Sequence, residues 1–422
     1  MILFCEECGT RHDIDENLIK VGDYKFSCSV CHEMLCVTLN NRQYMKNAQA
    51  ALHDDGDARS GGAPAPDRIV KVLVVDDSRM IRKVLRGIIE SSGKNKVIGE
   101  AENGKMALDM IAAERPDVIT LDINMPVMDG LTTLKHIMIS HPIPTVMISA
   151  LTKEGATETF DSLKYGAIDF LPKPSQVKGA DLNIQREEIL RKIGLVSGVQ
   201  VESIRYLRRP AKDNAKESDV QLPCQCVVVL GVAEGGYGAL LNVIPRLKAD
   251  IPAAYVAIMH QAPHHVDGFV RYLDQCSQLA VGRASDGLVM KGGNCYLSAD
   301  CERFQVTKAD GQIRLQLAPS AGASEGGAID HMMRSAATVM QEDAAGVILT
   351  GTGVDGIDGL GAIMGNGGTV FVQDPRSCLF KETPVRAIDT YHVSNLISDK
   401  QMAGAINAFL MAQNKSIKEM CV

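Results

Sequence analysis

Four apolar runs in the first half of the chain end in side chains able to do chemistry together. Val72-Leu73-Val74-Val75 runs into Asp76 and Asp77, and Val118-Ile119-Thr120-Leu121 ends in Asp122. Thr145-Val146-Met147-Ile148 is followed by Ser149, and Phe170-Leu171-Pro172 leads into Lys173. In parallel α/β sheets the carboxyl ends of strands are where ligands bind, so these carboxylates, the hydroxyl and the lysine are expected at one sheet edge. Oxygen ligands of this kind suit Mg²⁺, which keeps several waters and binds phosphate. A carboxylate nucleophile beside a metal site and a cation is what transfer of a phosphoryl group to form an acyl phosphate requires. In the second half Val227–Leu230 opens a Gly-rich turn, Gly231-Val232-Ala233-Glu234-Gly235-Gly236, without the Lys of a phosphate-binding loop. Val256–Met259 then ends in His260, and Val347–Leu349 leads through Thr350-Gly351-Thr352-Gly353-Val354 to Asp355. A turn, a His and an Asp at three strand ends outline the frame of a hydrolytic triad.

The N-terminus carries a different chemistry. Cys5-x2-Cys8 is followed after nineteen residues by Cys28-x2-Cys31, two thiolate pairs spaced to grip a tetrahedral zinc ion. About 40 residues do not bury a self-sufficient core, so the metal would supply the folding energy of a zinc ribbon at 1–40.

These groups need elements to hold them. A chain of 422 residues suggests two to four domains at about 100–200 residues each. Residues 41–68, with Gly61-Gly62-Ala63-Pro64-Ala65-Pro66, lack apolar periodicity and are expected to be a flexible linker. Residues 191–221 are expected to be a second linker, on the mixed charge around Arg208-Arg209-Pro210 and Lys212 to Asp219. On either side of it, short β-branched runs alternate with helical patterns, which predicts two α/β domains with largely parallel sheets, at 69–190 and 222–415. Composition narrows the partners. Aromatics are 4% with no Trp, and 44 Lys and Arg face 51 Asp and Glu, which disfavours nucleic acid by removing both stacking platforms and excess positive charge. No basic, apolar leader and no run of 18 apolar residues occurs, so a cytoplasmic protein without membrane insertion is expected.

Residues 69–190 resemble the receiver domain of two-component response regulators. The resemblance rests on Asp76-Asp77, Leu121-Asp122-Ile123-Asn124-Met125-Pro126-Val127-Met128-Asp129-Gly130, Ser149-Ala150 and Lys173-Pro174. It implies a flavodoxin-like fold with Asp122 as phosphoacceptor and Asp76, Asp77 and Asp122 at the Mg²⁺ site. Ser149 would then be the switch hydroxyl, Lys173 the phosphoryl-contacting cation and Phe170 the aromatic switch residue. A chemotaxis-type histidine kinase would be the phosphodonor. Residues 226–410 resemble the methylesterase domain of the chemotaxis protein-glutamate methylesterases, which also deamidate receptor glutamines. This implies a doubly wound parallel sheet and chemoreceptor cytoplasmic regions as partners. In that family the turn reads Gly-Ala-Ser-Thr-Gly-Gly, so His260 and Asp355 keep the base and orienting roles while Ala233 stands in the serine's place and Glu234 follows it. Thr352 replaces a usual Met. Without a heteroatom at Ala233, hydrolysis by the family route is not expected, because loss of a triad serine costs about 10⁶-fold. The opposing expectation is an active enzyme with an unorthodox nucleophile. Glu234 is expected either to pair with His260 or, with His264 and His265, to form a weak metal site, and those two histidines are otherwise read as surface loop residues. Cys5 to Cys31 resembles the short zinc ribbons at the N-termini of many bacterial proteins.

Overall fold

The computed structural model describes residues 2–4, 11–13, 22–27, 34–39, 68–149, 156–174, 180–199, 201, 222–318, 327–394 and 396–420. The chain divides into two units, Met1–Arg68 and Ile69–Val422. In the first, β1 (Ile2–Phe4) pairs antiparallel with β2 (Arg11–Asp13), and β3 (Gly22–Ser27) with β4 (Met34–Leu39). Cys5, Cys8, Cys28 and Cys31 lie outside the described residues, as do 40–67 and 202–221.

The second unit opens with β5 (Val70–Val75), α1 (Arg79–Glu90), β6 (Asn95–Ala101), α2 (Gly104–Ala113) and β7 (Val118–Asp122). There follow α3 (Gly130–Ser140), β8 (Thr145–Ser149), α4 (Ala156–Lys164), β9 (Asp169–Pro172) and α5 (Ala180–Val196). The sheet is parallel throughout, in the order β6-β5-β7-β8-β9, which is the flavodoxin-like order. Side chains of Ser78, Asn103 and Asp129 cap α1, α2 and α3 by accepting from the N–H groups of Ile81, Met106 and Thr132. The domain does not stop at 190. Helix α5 continues to Val196 because Ile189, Ile193 and Val196 pack with Val199 against Val70, Val72 and Leu85, so the start of the expected linker is part of the domain.

The remainder comprises β10 (Cys226–Val232), α6 (Gly236–Val243), β11 (Ala253–Met259), α7 (Pro263–Cys276), β12 (Ala280–Arg283) and β13 (Leu288–Val289). Next come β14 (Asn294–Ala299), β15 (Phe304–Ala309), β16 (Gln312–Leu317), α8 (Ala328–Met340) and β17 (Ala344–Ile348). The chain closes with α9 (Ile357–Gly365), β18 (Thr369–Gln373), α10 (Glu382–Tyr391), β19 (Leu396–Ile397) and α11 (Asp399–Met420). Seven strands form a parallel sheet, β12-β14-β11-β10-β17-β18-β19. Its strand order reverses beside β10, so the loops leaving β10 and β17 diverge and open a crevice at their carboxyl ends. An antiparallel sheet, β13-β16-β15, was not anticipated; its hairpin turns at Asp310-Gly311, with φ of 51° and 73°, the left-handed pair that two-residue hairpins use.

Strand β10 alternates between two cores. Val228, Leu230 and Val232 face α6, α7 and α11, whereas Val227 and Val229 face α8 and α9. The first of these cores does not end at the domain boundary. It continues through Tyr237, Phe269 and Tyr272 into Phe160 and Phe170 and on to Leu134, Ile137 and Leu121 of the other sheet. Among the described residues no helix is long and apolar enough to cross a membrane.

Candidate functional site

In the first sheet the order reverses between β5 and β7, and the acidic residues gather there. One oxygen each from Asp76, Asp77 and Asp122 lies within 4.8 Å of the others, and no other such group of ligand side chains occurs among the described residues. Asp76 and Asp122 are buried and Asp77 is exposed. Lys173 Nζ lies 2.7 Å from Asp122 Oδ2 and 3.1 Å from Asp76 Oδ2. Burial pushes the Asp122 carboxyl up, with Asp76 adding to the shift, and Lys173 only partly offsets it. Three carboxylates around one ammonium leave excess negative charge in a buried site, and an all-oxygen donor set of this size fits a hard divalent cation such as Mg²⁺. Gly130 is needed for backbone reasons: a Cβ there would stand 2.0 Å from the Asp122 carbonyl oxygen, so α3 starts close against the acceptor strand only with glycine. Ser149 holds the last position of β8, in register with Pro172 of β9.

The second site lies in the crevice of the seven-stranded sheet. His260 Nε2 stands 3.1 Å from Asp355 Oδ2. The Asp355 carboxylate also accepts from the N–H groups of Ile329 at 3.2 Å and Asp330 at 3.0 Å, the first turn of α8, where helix amides favour negative charge. Burial raises the Asp355 carboxyl, but the His260 bond and these amides outweigh it and its pKa falls. The bond to Asp355 raises the His260 pKa against the opposing effect of burial. Asp330, not singled out in the sequence, accepts from Gly356 N at 3.0 Å and Gly359 N at 2.7 Å and so ties the Asp355 loop to α8. The structure therefore brings His260 and Asp355, expected from the sequence as base and orienting acid, into contact.

Ala233, expected from the resemblance to stand in the nucleophile's place, offers only a methyl group. Ala233 is 7% exposed, and its N–H donates to Thr350 O at 3.3 Å. A Cβ on Gly351 would stand 2.7 Å from that of Ala233, so the turn and the Asp355 loop meet at van der Waals contact. Glu234 pairs neither with His260 nor with the two histidines that follow. Its Oε1 accepts from Arg191 Nη1 at 2.8 Å, and its Oε2 accepts from Thr352 Oγ1 at 2.7 Å and Thr352 N at 3.2 Å. Arg191 was hidden in the sequence because it fell in the stretch expected to be linker.

Helix α5 faces this crevice across a cleft of about 540 Å³, lined by Glu188 and Arg191 on one side and His260, His264 and Asp300 on the other. At its floor the expected surface position of His265 is overturned. That residue lies in α7, is 5% exposed, and meets the Phe170 ring edge to face at 5.5 Å, with no hydrogen-bond partner on either ring nitrogen. Burial, with His264 and Lys192 nearby, pushes its pKa down to about 3. Phe170 itself is fully buried among Phe160, Tyr237 and His265, and its carbonyl accepts from Lys192 Nζ at 2.9 Å. Lys192 is 3% exposed and pairs with Asp169 at 3.0 Å. Tyr272 Oη donates to Asp161 across the same boundary, and Lys164 Nζ lies 4.5 Å from the Tyr272 ring centroid.

The two sites correspond to two known families in the order in which they occur. The receiver domain of response regulators matches residues 72–181, and the CheB methylesterase family matches residues 228–406. A protein-glutamate methylesterase/protein-glutamine glutaminase of Pyrococcus horikoshii is 36% identical over 79% of this chain and 92% of its own length. That of Geobacillus kaustophilus is 34% identical over 80% and 98%. Among solved structures, the response regulator domain of Thermotoga maritima CheB is 41% identical, covering 32% of this chain and 100% of that one, with a TM-score of 0.29. Similarity that runs through both domains and most of each relative's length joins the acidic cluster and the His260–Asp355 pair in one lineage: the chain belongs to the protein-glutamate methylesterase/protein-glutamine glutaminase family.

Proposed function

We propose that this chain is a chemotaxis-type response regulator, phosphorylated on Asp122 by a histidine kinase, whose methylesterase domain has given up hydrolysis. It acts instead by docking on chemoreceptor cytoplasmic regions or by competing for phosphoryl groups with a hydrolytic relative. The observation that carries this reading is Ala233 at the position next to the intact His260–Asp355 pair, with the Glu234 carboxylate held against Thr352 beside it.

In the receiver, an Asp122 oxygen attacks the phosphorus of phosphohistidine. The P–O bond of an acyl phosphate forms, the P–N bond breaks, and the imidazole leaves with a proton. Lys173, already 2.7 Å from Asp122, stays beside the transferred group and balances its charge. Asp76 and Asp77, with Asp122, would hold Mg²⁺, which when bound spreads the negative charge of the phosphoryl oxygens. In the second domain His260 has a base's environment but no hydroxyl to deprotonate at Ala233, so an acyl-enzyme does not form there.

Methanol release from methylated receptor, in the presence of a small phosphodonor, tests this. The native chain and its His260→Ala variant are expected to be equally silent, and Asp122→Asn is expected to lose labelling by the phosphodonor. Native hydrolysis that His260→Ala abolishes would show an active enzyme with another nucleophile.

A further inference from the structure

Two departures from the family pattern touch each other. Glu234 stands where the turn has Thr, Thr352 stands where the aspartate loop has Met, and the carboxylate of one accepts both the hydroxyl at 2.7 Å and the amide at 3.2 Å of the other. The second carboxylate oxygen takes Arg191 Nη1 at 2.8 Å, from a helix of the receiver. The Thr350 hydroxyl fixes the Glu234 carbonyl at 3.3 Å, so the backbone that presents the side chain is also held. The Glu234 side chain is 18% exposed, and these donors keep its pKa low despite burial, which marks a settled anion rather than a solvated one.

We infer that Arg191, Thr352 N–H and Thr352 Oγ1 form a carboxylate-binding site spanning the two domains, and that Glu234 is its built-in occupant. Three donors converge on one carboxylate from two elements, α5 of the receiver and the loop after β17. The consequence is a latch. Lys192, adjacent to Arg191, grips Asp169 and the Phe170 carbonyl in β9, so one helix reads the strand that leads to Lys173 and the remnant catalytic turn through consecutive side chains. With the carboxylate seated, α5 is held over the cleft; without it, the two domains keep their aromatic contact and the Tyr272–Asp161 bond but lose the tie from α5. Arg191 is half exposed, so its bond to Glu234 is a modest one and the latch is reversible. The site stands on its own geometry and rests on the proposed reading in one respect, that Asp122 is the phosphoacceptor.

Amide exchange in the helix bearing Phe269 and Tyr272, measured on the full chain, reads the closure. Glu234→Ala is expected to speed exchange there about two- to fivefold, the range of a partly exposed ion pair, and Arg191→Ala to do the same. The Arg191→Ala/Glu234→Ala pair should be no faster than either single variant, and Arg191→Lys should recover part of the protection. Acetate supplies the missing carboxylate. Added to Glu234→Ala it should restore slow exchange, whereas chloride at equal ionic strength should not, and neither should rescue Glu234→Ala/Arg191→Ala. Exchange unchanged in the single variants, additive effects, or acetate acting no better than chloride would each overturn the site. Beryllofluoride with Mg²⁺ on the native chain separates the two claims. Failure to loosen the helix would show that a phosphoryl group on Asp122 does not release the latch, while leaving a carboxylate rescue intact.

Discussion

The rings of Phe170 and Tyr237 lie 4.9 Å apart, centroid to centroid, so a residue three positions before Lys173 is buried against the other domain. Through three residues of backbone and one ring contact, Asp122's partner Lys173 is thus connected to the helix that follows Ala233. Phe170 is fully buried and also touches Phe160 and His265, so Phe170→Ala removes a ring at the junction of two domains. A loss of about 3–5 kcal/mol is expected in urea unfolding of the full chain. A loss below about 1 kcal/mol would mean that the ring is not packed as described.

The His260–Asp355 bond makes a prediction in pH. The bond raises the imidazole pKa, so the charged form is the one the fold favours. The stabilisation is then fully present below about pH 6.5, the ordinary histidine value, and is lost as pH rises through the raised folded value. In NMR titrations His260 should lose its proton later than an ordinary histidine, and Asp355→Asn should bring its midpoint down.

His265 behaves in the opposite sense. It is held neutral in the closed boundary, with His264 and Lys192 disfavouring its charge and Asp169 paired to Lys192 rather than to it. Its folded value of about 3 lies below the ordinary 6.5, so closure weakens as pH falls from about 6.5 toward 3, by roughly tenfold per unit. Interface protection, with exchange corrected for its intrinsic base-catalysed rate, should be lower at pH 5.5 than at 7.5 in the native chain. His265→Phe, which has no proton to take up, should flatten that dependence.

Restoring the serine alone is not expected to restore a good esterase. In Ala233→Ser the hydroxyl lies near His260, but the Thr352 amide beside it stays committed to Glu234. An amide free to face a developing oxyanion is worth about 10²–10³ in rate. The variant Ala233→Ser/Glu234→Thr should therefore release methanol at least tenfold faster than Ala233→Ser, and equal rates would remove any catalytic part for that amide.

The paired cysteines carry their own test. The spacing of Cys5, Cys8, Cys28 and Cys31 leads us to propose one zinc ion per chain. Metal analysis of the purified protein should find one equivalent, lost together with its zinc-dependent thiol protection in Cys5→Ser/Cys8→Ser.

The parallel strands were legible because a strand buried on both faces writes itself as a continuous apolar run: Val72–Val75, Val118–Leu121 and Val227–Leu230 all fall inside observed strands. The acidic cluster and the His–Asp pair were legible for a related reason, since strand ends in such sheets converge on one edge. Strand β6 escaped notice because its Asn95, Lys96 and Glu100 break the apolar run at the sheet edge. Arg191 and Lys192 escaped for another reason. Their charges looked like solvated linker, and only the fold shows one capped by Glu234 and the other buried against Asp169. His265 was misjudged because a His-His pair after a Pro gives no hint that an aromatic ring from a distant domain will cover it.

The core that runs unbroken from Leu121 through Phe160 and Phe170 to Tyr237 and Leu240 has a consequence for how the protein is inherited and cut. A receiver excised at its end would bare Phe160 and Phe170, and a second domain excised at its start would bare Tyr237, Phe269 and Tyr272, so each half carries an adhesive face shaped to the other. The pair is therefore expected to melt as a single cooperative body. A substitution accepted on one side of Phe170 is free to persist only if the ring across the boundary tolerates it.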